Sequence, residues 1–430
     1  MSQATDAKQQ KQQTAQEVNI NIGKFVAELV RSTLGPKGMD KQLVDASGRT
    51  VITNDGATIL KETNFTHATA KMIVEVARTQ EEECYDGTTS AIVVTGELLK
   101  QAEDLLAKRV HPTTIVNGYQ IALAKCREVI EDLTIPAEEY LTDIALTAMT
   151  GKTAELEREH LADLCVKATG QASPGSINIL PRYGSPVSES YAPDGILIGQ
   201  VKMHNAMPSA IDKAKIALIE GALDLPAMAK GTNLQFSSAE EAEAFRQRQR
   251  ELLSGMAEHI ATLGANVILT IKDIHPSLAE LFARQGIIAC RRCSASNLEA
   301  VADATGALIV AELEDLESDD LGSCEAIEEV DSSAGQRGFL LLRGTPNKNA
   351  VSIVVQAPTQ QASQEIARAM DDAIGVVHVA RKEGKVLAGG GASQVELAIR
   401  LREFATSVGG LESLAVEAFA DALEIIPLTL

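Results

Sequence analysis

Apolar residues between Val18 and about Tyr140 recur at the three- and four-residue spacing of amphipathic helices. A third helix is predicted from just after Asp86 to about Lys108, and a fourth from Pro112, because proline is tolerated in a first helical turn. The first third of the chain is therefore predicted to be mostly helical. Its first two stripes consist of Ile22, Val26, Leu29 and Val30, and of Ile73, Val76 and Ala77.

The helical pattern is interrupted by a predicted β-hairpin. Residues 41–45 and 49–53 have the composition of two short strands, and Ala46, Ser47 and Gly48 supply a turn between them.

Residues 201–355 change to short apolar runs that alternate with helical stretches. The helical stretches end at Gly286 and Gly306, which are typical stop residues. This alternation predicts an α/β domain with a partly parallel sheet. The apolar runs are 214–219, 265–271, 287–290 and 307–313, and the helical stretches are 276–284 and 297–304.

One helix in this region is predicted to be unusually long, from about Ser238 to Leu263. Helical spacing places four apolar side chains on one of its faces. Leu234 and Phe236 precede it in a predicted loop with no evident core partner. The four residues of the apolar face are Phe245, Leu252, Met256 and Ile260.

The last region, 361–430, is predicted to be helical again. One helix ends at Gly384, and Gly389, Gly390 and Gly391 open the next. The sequence stops on an apolar segment at residues 426–430, whereas natural termini are usually solvated, so we expect either a truncated chain or one whose partner segment lies elsewhere. The apolar stripe before Gly384 consists of Ile366, Met370, Ile374 and Val377.

Composition narrows the class of protein. The chain has 430 residues, 45% of them hydrophobic, which suffices for a large core and favours two to four domains. Its formal charge of −20 argues against partners such as nucleic acid or an anionic membrane. No run of about 18 apolar residues is present, and residues 1–16 are polar and unlike a signal peptide. A soluble, cytoplasmic protein is expected.

The six cysteines do not form a disulfide-dense pattern. Cys290 and Cys293 form one C-x-x-C pair, but the two further ligands of a structural zinc site are missing from the sequence pattern. Ordinary thiols are the favoured interpretation, and a metal or redox role is the lesser alternative.

Two glycine-containing segments are candidate anion sites. Residues 33–38 end a helix in a tight loop, where glycines let backbone N–H groups approach an anion and Lys37 adds positive charge. A plain helix stop is the more common explanation of this pattern. Asn54, Asp55 and Gly56 follow a strand, and a plain turn is the more common explanation there.

A third segment is more specific. Asp86, followed by Gly87, Thr88, Thr89 and Ser90 at a predicted helix start, offers N–H donors for phosphate, several hydroxyls and a hard ligand for Mg²⁺. The alternative is that Asp86 is simply an N-cap.

Two other candidates are weaker on their own. Gly151, Lys152 and Thr153 lack the first glycine of a Walker A loop, since Leu146 stands in its place, so a P-loop of that type is excluded. Asp372 lies off the apolar stripe of its helix, and an exposed aspartate there is usually only solvated.

The order of these segments closely resembles the group II chaperonins, the archaeal thermosome and eukaryotic cytosolic types. The resemblance is colinear over nearly the whole chain, and the long helix near Ser238 is similar to the built-in lid protrusion that group I chaperonins lack. The matching stretches are VRSTLGPKGMDK at 30–41, ITNDGATIL at 52–60, DGTTS at 86–90, AGGGA at 388–392 and ALEIIP at 422–427.

The resemblance implies a multidomain α and α/β fold. It consists of a mostly helical equatorial domain with a β-hairpin, a small intermediate domain, and an α/β apical domain with a helical lid protrusion. The expected ranges are 1–145 and 393–430 for the equatorial domain, 146–201 and 358–392 for the intermediate domain, and 202–357 for the apical domain, with the protrusion at about 231–262.

The resemblance also implies the site and the function. Such proteins bind ATP and Mg²⁺, assemble with other chaperonin subunits into double rings and bind non-native polypeptides, for which Leu234 and Phe236 are apical candidates. Asp86 would ligate Mg²⁺, Asp55 and Asp372 would activate the attacking water, and Lys152 would sense the γ-phosphate. The remaining nucleotide contacts would come from Thr33, Leu34, Gly35, Pro36, Gly87, Thr88, Thr89, Ser90 and Gly390.

Three departures from the family pattern are visible. The family usually has glycine where this chain has Tyr85, which needs no positive φ if the turn adjusts, but whose bulky ring could crowd the phosphates. Pro358 lies in the segment 356–359 that replaces Arg-Gly-Gly-Thr, and it would stiffen the hinge. The family also continues beyond residue 430 with the rest of the equatorial domain.

Two functions from different classes are therefore considered, an ATP-dependent folding machine and a non-hydrolysing, assembly-deficient holdase or scaffold. A metabolic kinase would fit the glycine loops but not the long helix. The ATP-dependent folding machine is favoured by the presence of all four candidate residues, Asp55, Asp86, Lys152 and Asp372. The holdase or scaffold is favoured by the absence of the rest of the equatorial domain from this sequence.

Overall fold

The chain is organised in two units of tertiary structure. The computed structural model describes residues 15–44, 48, 50–150, 157–225, 238–330, 338–347 and 350–430. The first unit comprises Met1–Leu156 with Gly375–Leu430, and the second comprises Glu157–Ile374. The finer division into three domains stays a prediction.

Helices dominate the first unit, and strands are concentrated in the second. The helices are α1 (Ala15–Arg31), α2 (Gly56–Glu62), α3 (Ala68–Cys84), α4 (Thr88–Ala107), α5 (Pro112–Leu133), α6 (Leu141–Met149), α7 (Arg158–Thr169), α8 (Ala239–Leu263), α9 (Pro276–Gln285), α10 (Ala295–Thr305), α11 (Gln360–Glu383), α12 (Ala392–Val408), α13 (Glu412–Leu423) and α14 (Ile425–Thr429). The strands are β1 (Lys41–Val44), β2 (Thr50–Thr53), β3 (Ile135–Pro136), β4 (Ile177–Tyr183), β5 (Ile196–Ile198), β6 (Ala210–Ile219), β7 (Val267–Thr270), β8 (Ile288–Cys290), β9 (Ile309–Val310), β10 (Gly322–Val330), β11 (Phe339–Arg343), β12 (Val351–Ala357) and β13 (Lys385–Val386).

The core of the first unit forms where α1 and α3 pack against α4. Val26, Ile73 and Ile92 are buried together there, as the helical spacing predicts. The sequence also placed Val76 on the apolar stripe of Ile73 and Ala77. That assignment is wrong, because the Val76 side chain is 42% exposed. The backbones of α1 and α4 approach closely at Gly96, since a Cβ at that position would collide with Ala27.

The predicted hairpin is confirmed. Strands β1 and β2 pair antiparallel, with Lys41 opposite Thr53 and Val44 opposite Thr50. A second two-stranded pair, β3 with β13, joins residues far apart in the sequence within the same unit.

A seven-stranded mixed sheet forms the centre of the second unit, with the order β5-β11-β10-β6-β7-β8 and β9 paired to β6. Pairs β6–β7, β7–β8 and β6–β9 are parallel, and the others are antiparallel. This confirms the predicted α/β character with a partly parallel sheet. Outside this sheet, β4 and β12 form a parallel pair.

The long helix α8 begins after Ser238, whose hydroxyl accepts from the N–H of Glu241 at 3.2 Å. Leu253, Ala257 and Ile260 are its buried residues. The predicted apolar face is partly wrong, because Leu252 is 38% exposed, whereas Ile260 is buried and Met256 packs against the core as predicted. No residue of α8 before Leu253 is buried.

The predicted stripe of α11 is confirmed, since all four of its residues are buried. Gly384 follows the helix with a φ of +69°, and Gly391, with a φ of +81°, is the N-cap of α12. Helices α9 and α10 end at Gly286 and Gly306, both in the left-handed region. Glycine accepts this conformation without a steric penalty.

Two helical glycines give a matched test of this packing. Gly96→Ala is expected to lower the free energy of unfolding by about 1–3 kcal/mol, because its methyl group meets Ala27. Gly255→Ala in α8 has open space around it and is expected to gain up to about 1 kcal/mol in helix propensity. Urea denaturation monitored by circular dichroism measures both. Equal effects of the two substitutions would contradict the close contact.

Candidate functional site

The loop after α1 is tightly bonded to itself. The Thr33 hydroxyl donates to the Val30 carbonyl at 2.8 Å, and the Gly38 N–H donates to the Gly35 carbonyl at 2.9 Å. Gly35 has a φ of +81°, and a Cβ on Gly38 would lie 2.6 Å from the Thr33 carbonyl carbon. The helix stop predicted here is confirmed. Beside it, the buried Ser32 hydroxyl has no hydrogen-bond partner in the described part of the chain.

Asp55 caps the N-terminus of α2. Its Oδ2 accepts from the Thr58 N–H at 2.8 Å, and its Oδ1 accepts from the Ala57 N–H at 3.3 Å. The plain-turn alternative is therefore wrong, because the side chain satisfies two of the four N–H groups that a helix start leaves open. These two bonds fix the orientation of the carboxylate.

In the segment before α4, the residues on both sides of Asp86 have left-handed backbone conformations. Tyr85 has a φ of +59° and Gly87 a φ of +78°. Gly87 is the N-cap of α4 and has no side chain with which to cap it, so the interpretation of Asp86 as the N-cap is wrong. Asp86 Oδ1 instead accepts from the Gly87 N–H at 2.7 Å, and the Gln80 amide donates to the Asp86 carbonyl at 2.9 Å.

For Tyr85 the alternative of an adjusted turn without a positive φ is wrong, and the crowding of the phosphates by its ring stays a prediction. The turn does not adjust, since Tyr85 occupies the left-handed conformation and its N–H donates to the Glu81 carbonyl at 2.9 Å as the C-cap of α3. Its ring lies against the backbone of Gly375 in α11, which belongs to the same unit.

Close backbone contacts bring these segments together. A Cβ on Gly56 would lie 2.5 Å from Thr89 Oγ1, so the N-termini of α2 and α4 are adjacent. A Cβ on Gly391 would lie 2.8 Å from Pro427 Cβ, and the side chain of Leu430 fills the space beside Gly35. Helix α14 packs against both α4 and α12. Space is open beside Gly390, where a Cβ would meet no atom within 4 Å.

This arrangement suits a polyphosphate. Neither α4 nor α12 has a side-chain cap, because glycine occupies both N-cap positions. In α12 the Ala392 N–H donates to the Gly389 carbonyl at 3.2 Å, and no cap side chain accepts from the other first N–H groups of either helix. Helix N-termini carry a partial positive charge and bind anions readily. Asp86 Oδ2 has no partner in the described chain, and one carboxylate with phosphate oxygens is a usual ligand set for Mg²⁺. The residues present therefore fit Mg-ATP.

Asp372 lies on α11 in the second unit, whereas Asp55 and Asp86 lie in the first. The convergence of these three carboxylates stays a prediction. The preceding residue, Asp371, is a feature that the sequence reasoning missed. Desolvation and the adjacent charge of Asp372 raise the pKa of Asp371 to about 6, although the residue as a whole is exposed. The signal in the sequence that marks Asp371 is the pair of adjacent aspartates, 371 and 372.

Several predicted residues lie outside the described residues. They are Lys152, Leu234 and Phe236.

The cysteines behave as structural thiols. All six are free, and five of them are buried. Burial raises the pKa of Cys293 to about 12 and raises that of Cys290 well above its ordinary value. Within the described ranges, no three His, Cys, Asp or Glu side chains form a group that could hold a metal ion. These thiols are poorly disposed to redox or metal chemistry, because the thiolate is the reactive form.

Comparison with known proteins identifies the family of this chain. Residues 26–430 match the model of the TCP-1/cpn60 chaperonin family. The chain belongs to this family. It is 43% identical over 430 residues to the thermosome subunit of Pyrococcus abyssi, covering 97% of this chain and 78% of that protein.

Other thermosome subunits give the same result and place this chaperonin in group II. The chain is 42% identical over 428 residues to the subunit of Methanocaldococcus jannaschii, which covers 97% of this chain and 79% of that protein. It is 42% identical over 430 residues to the beta subunit of Archaeoglobus fulgidus, at 97% and 78% coverage. Within the described part of this chaperonin, no helix combines the length and the hydropathy that crossing a bilayer requires.

The raised pKa of Asp371 predicts a pH-dependent stability. Between its ordinary value of 3.8 and about 6, the folded state holds a proton that the unfolded state releases, so stability falls as the pH rises through this window. Asp371→Asn removes the ionisable group and with it this fall in stability. It should raise the free energy of unfolding by about 1 kcal/mol at pH 7.5, which is less than the full pKa shift would give because solvent screens an exposed group. Below about pH 4 the difference should vanish.

Urea denaturation of both proteins from pH 3.5 to 8 measures this difference. Asp163→Asn, which removes an exposed carboxylate from α7, is the matched control for loss of one charge. Parallel pH profiles for Asp371→Asn and the wild type would contradict the prediction.

Proposed function

We propose that this chaperonin binds and hydrolyses Mg-ATP in its first unit, and uses the reaction to assist the folding of non-native polypeptides. The observation that carries the proposal is the start of α4, where Gly87 leaves the helix without a side-chain cap and Asp86 lies directly before it. A helix start that lacks its own cap offers donors for phosphate, and the neighbouring carboxylate suits the accompanying cation.

The conformation of each loop supports the proposed nucleotide contacts. The N–H groups at the start of α4, with the side chains of Thr88, Thr89 and Ser90, would hold the phosphates. The tight loop from Thr33 to Pro36 would contact phosphate and ribose through its backbone, and Gly390 would pack on the nucleotide through its open face. Asp86 would hold Mg²⁺, which neutralises phosphate charge when bound.

Hydrolysis needs positioning more than covalent chemistry. The Asp55 carboxylate is held by two N–H donors of α2, so it keeps one orientation while its remaining lone pairs can accept a proton from water. Asp372 would complete this pair and Lys152 would sense the γ-phosphate. Because Asp372 belongs to the other unit, its participation would link hydrolysis to a movement of the units.

The second unit would bind the client. No residue of helix α8 before Leu253 is buried, and an unpacked first half suits a protrusion that closes over a chamber. We assign the lid to about 231–262, the apical domain to 202–357 and the intermediate domain to 146–201 and 358–392. Subunits of this kind would assemble as homo- or hetero-oligomeric double rings in the cytoplasm.

Substitution of the carboxylates tests hydrolysis. Asp55→Asn removes the charge and keeps one of the two capping bonds, because the asparagine side chain has one acceptor oxygen where aspartate has two. It and Asp372→Asn are each expected to lower kcat for phosphate release by roughly 100-fold with little change in stability. Asp86→Asn is expected to raise the Mg²⁺ concentration needed for half-maximal rate. Phosphate release is measured with malachite green.

Asp104→Asn, an exposed aspartate of α4, is the matched control and should keep the wild-type rate. Equal background release from wild type and all three variants would remove the ATPase proposal. Suppression of client aggregation by such an inactive wild type would support a non-hydrolysing holdase instead.

Assembly is tested separately by light scattering. A double ring of this 45.7 kDa chain is expected to scatter with a mass many times that of one chain. A monomer at micromolar concentration would exclude an enclosed chamber for this chain and leave the nucleotide site unaffected.

A further inference from the structure

Two residues of the first unit have conformations or positions that are unfavourable on their own. Tyr85 has a φ of +59°, a region in which a bulky side chain is strained. Gly375 lies inside α11, where glycine weakens a helix. Strained local choices that persist are often part of a functional site.

The two residues fit each other. A Cβ added to Gly375 would lie 2.7 Å from Tyr85 Cβ and closer still to the ring, so the ring occupies the space that any other side chain at 375 would fill. Tyr85 remains 38% exposed, so the contact is not the filling of a core cavity. Glycine at 375 is what allows the ring to lie on the helix backbone.

The contact joins two segments that carry candidate catalytic groups. Asp86 follows Tyr85 directly, and its backbone is fixed by the Gln80 amide and by Gly87. On α11, Gly375 shares a helical face with Asp371 and Asp372, because residues three and four apart are neighbours on a helix surface. Tyr85 therefore belongs to one of these segments by its backbone and contacts the other through its ring.

We propose that Tyr85, seated on Gly375, is a positioning residue for hydrolysis. It holds the α11 segment that begins at Gly375 against the loop of Asp86, and so acts on the hydrolytic step rather than on nucleotide binding. This proposal rests on the ATPase function proposed above. A ring contact with no hydrogen-bond requirement also means that phenylalanine should replace tyrosine.

A double-mutant cycle tests the coupling. Gly375→Ala alone should displace the ring and lower kcat by roughly 10-fold or more, while KM for ATP changes by less than about 3-fold. Tyr85→Phe should keep the wild-type kcat. The double variant Tyr85→Gly with Gly375→Ala has no ring for the new methyl group to collide with. Its kcat should therefore exceed that of Gly375→Ala alone and lie close to that of Tyr85→Gly. Rate losses that simply multiply, or a changed melting temperature with unchanged kcat, would overturn the proposal.

Hydrogen exchange at the amides of residues 375–383 gives a readout that does not need hydrolysis. Tyr85→Gly should speed exchange there several-fold, and Tyr85→Phe should not, with α5 as the internal reference. Unchanged exchange would overturn the positioning role. Absence of phosphate release from the wild type, together with faster exchange in Tyr85→Gly, would overturn the ATPase proposal and leave the contact established as structural only.

Discussion

The contact between Gly56 and Thr89 is the constraint on which the candidate site depends. It places the start of α2, with its Asp55 cap, beside the start of α4, whose N–H groups we propose as phosphate donors. A side chain at position 56 would separate the two helix starts, because its Cβ would lie 2.5 Å from the Thr89 hydroxyl. The position of Asp55 relative to Thr89 therefore depends on the absence of a side chain at position 56.

Two helices of the candidate site lack the stabilising side-chain cap that other helices have, which leaves backbone N–H donors available. Serine, threonine or aspartate as the N-cap would satisfy the first N–H groups of a helix, and α8 is capped in this way by Ser238. At α4 and α12 glycine occupies that position, and the donors stay unsatisfied by the side chain. Helices that leave their own N-termini open are suited to an anionic ligand, which then supplies the missing acceptors.

Helix α11 connects the two units through the chain itself. Its residues up to Ile374 belong to the second unit and those from Gly375 to the first. The carboxyl pair Asp371 and Asp372 lies just before this division, and the Tyr85 contact lies just after it.

The sequence by itself determined the elements whose causes are local. Helical spacing located α1, α4, α5 and α11, glycine located the ends of α9 and α10, and the alternation of strands and helices indicated a mixed sheet. The colinear motifs identified the chaperonin family and the candidate residues. These features follow from residue type and spacing along one segment, so no distant contact is needed to predict them.

Tertiary structure decided what depends on residues far apart in sequence. Val76 and Leu252 fit their helical stripes, yet both are exposed, because burial requires a partner surface that spacing does not report. Asp55 and Asp86 both looked like turn or cap residues, and only the observed hydrogen bonds made Asp55 a cap and left Asp86 Oδ2 open. The positive φ of Tyr85 is tolerated beside a glycine 290 positions later in the sequence, and packing at that range brings together backbone atoms that no local pattern relates.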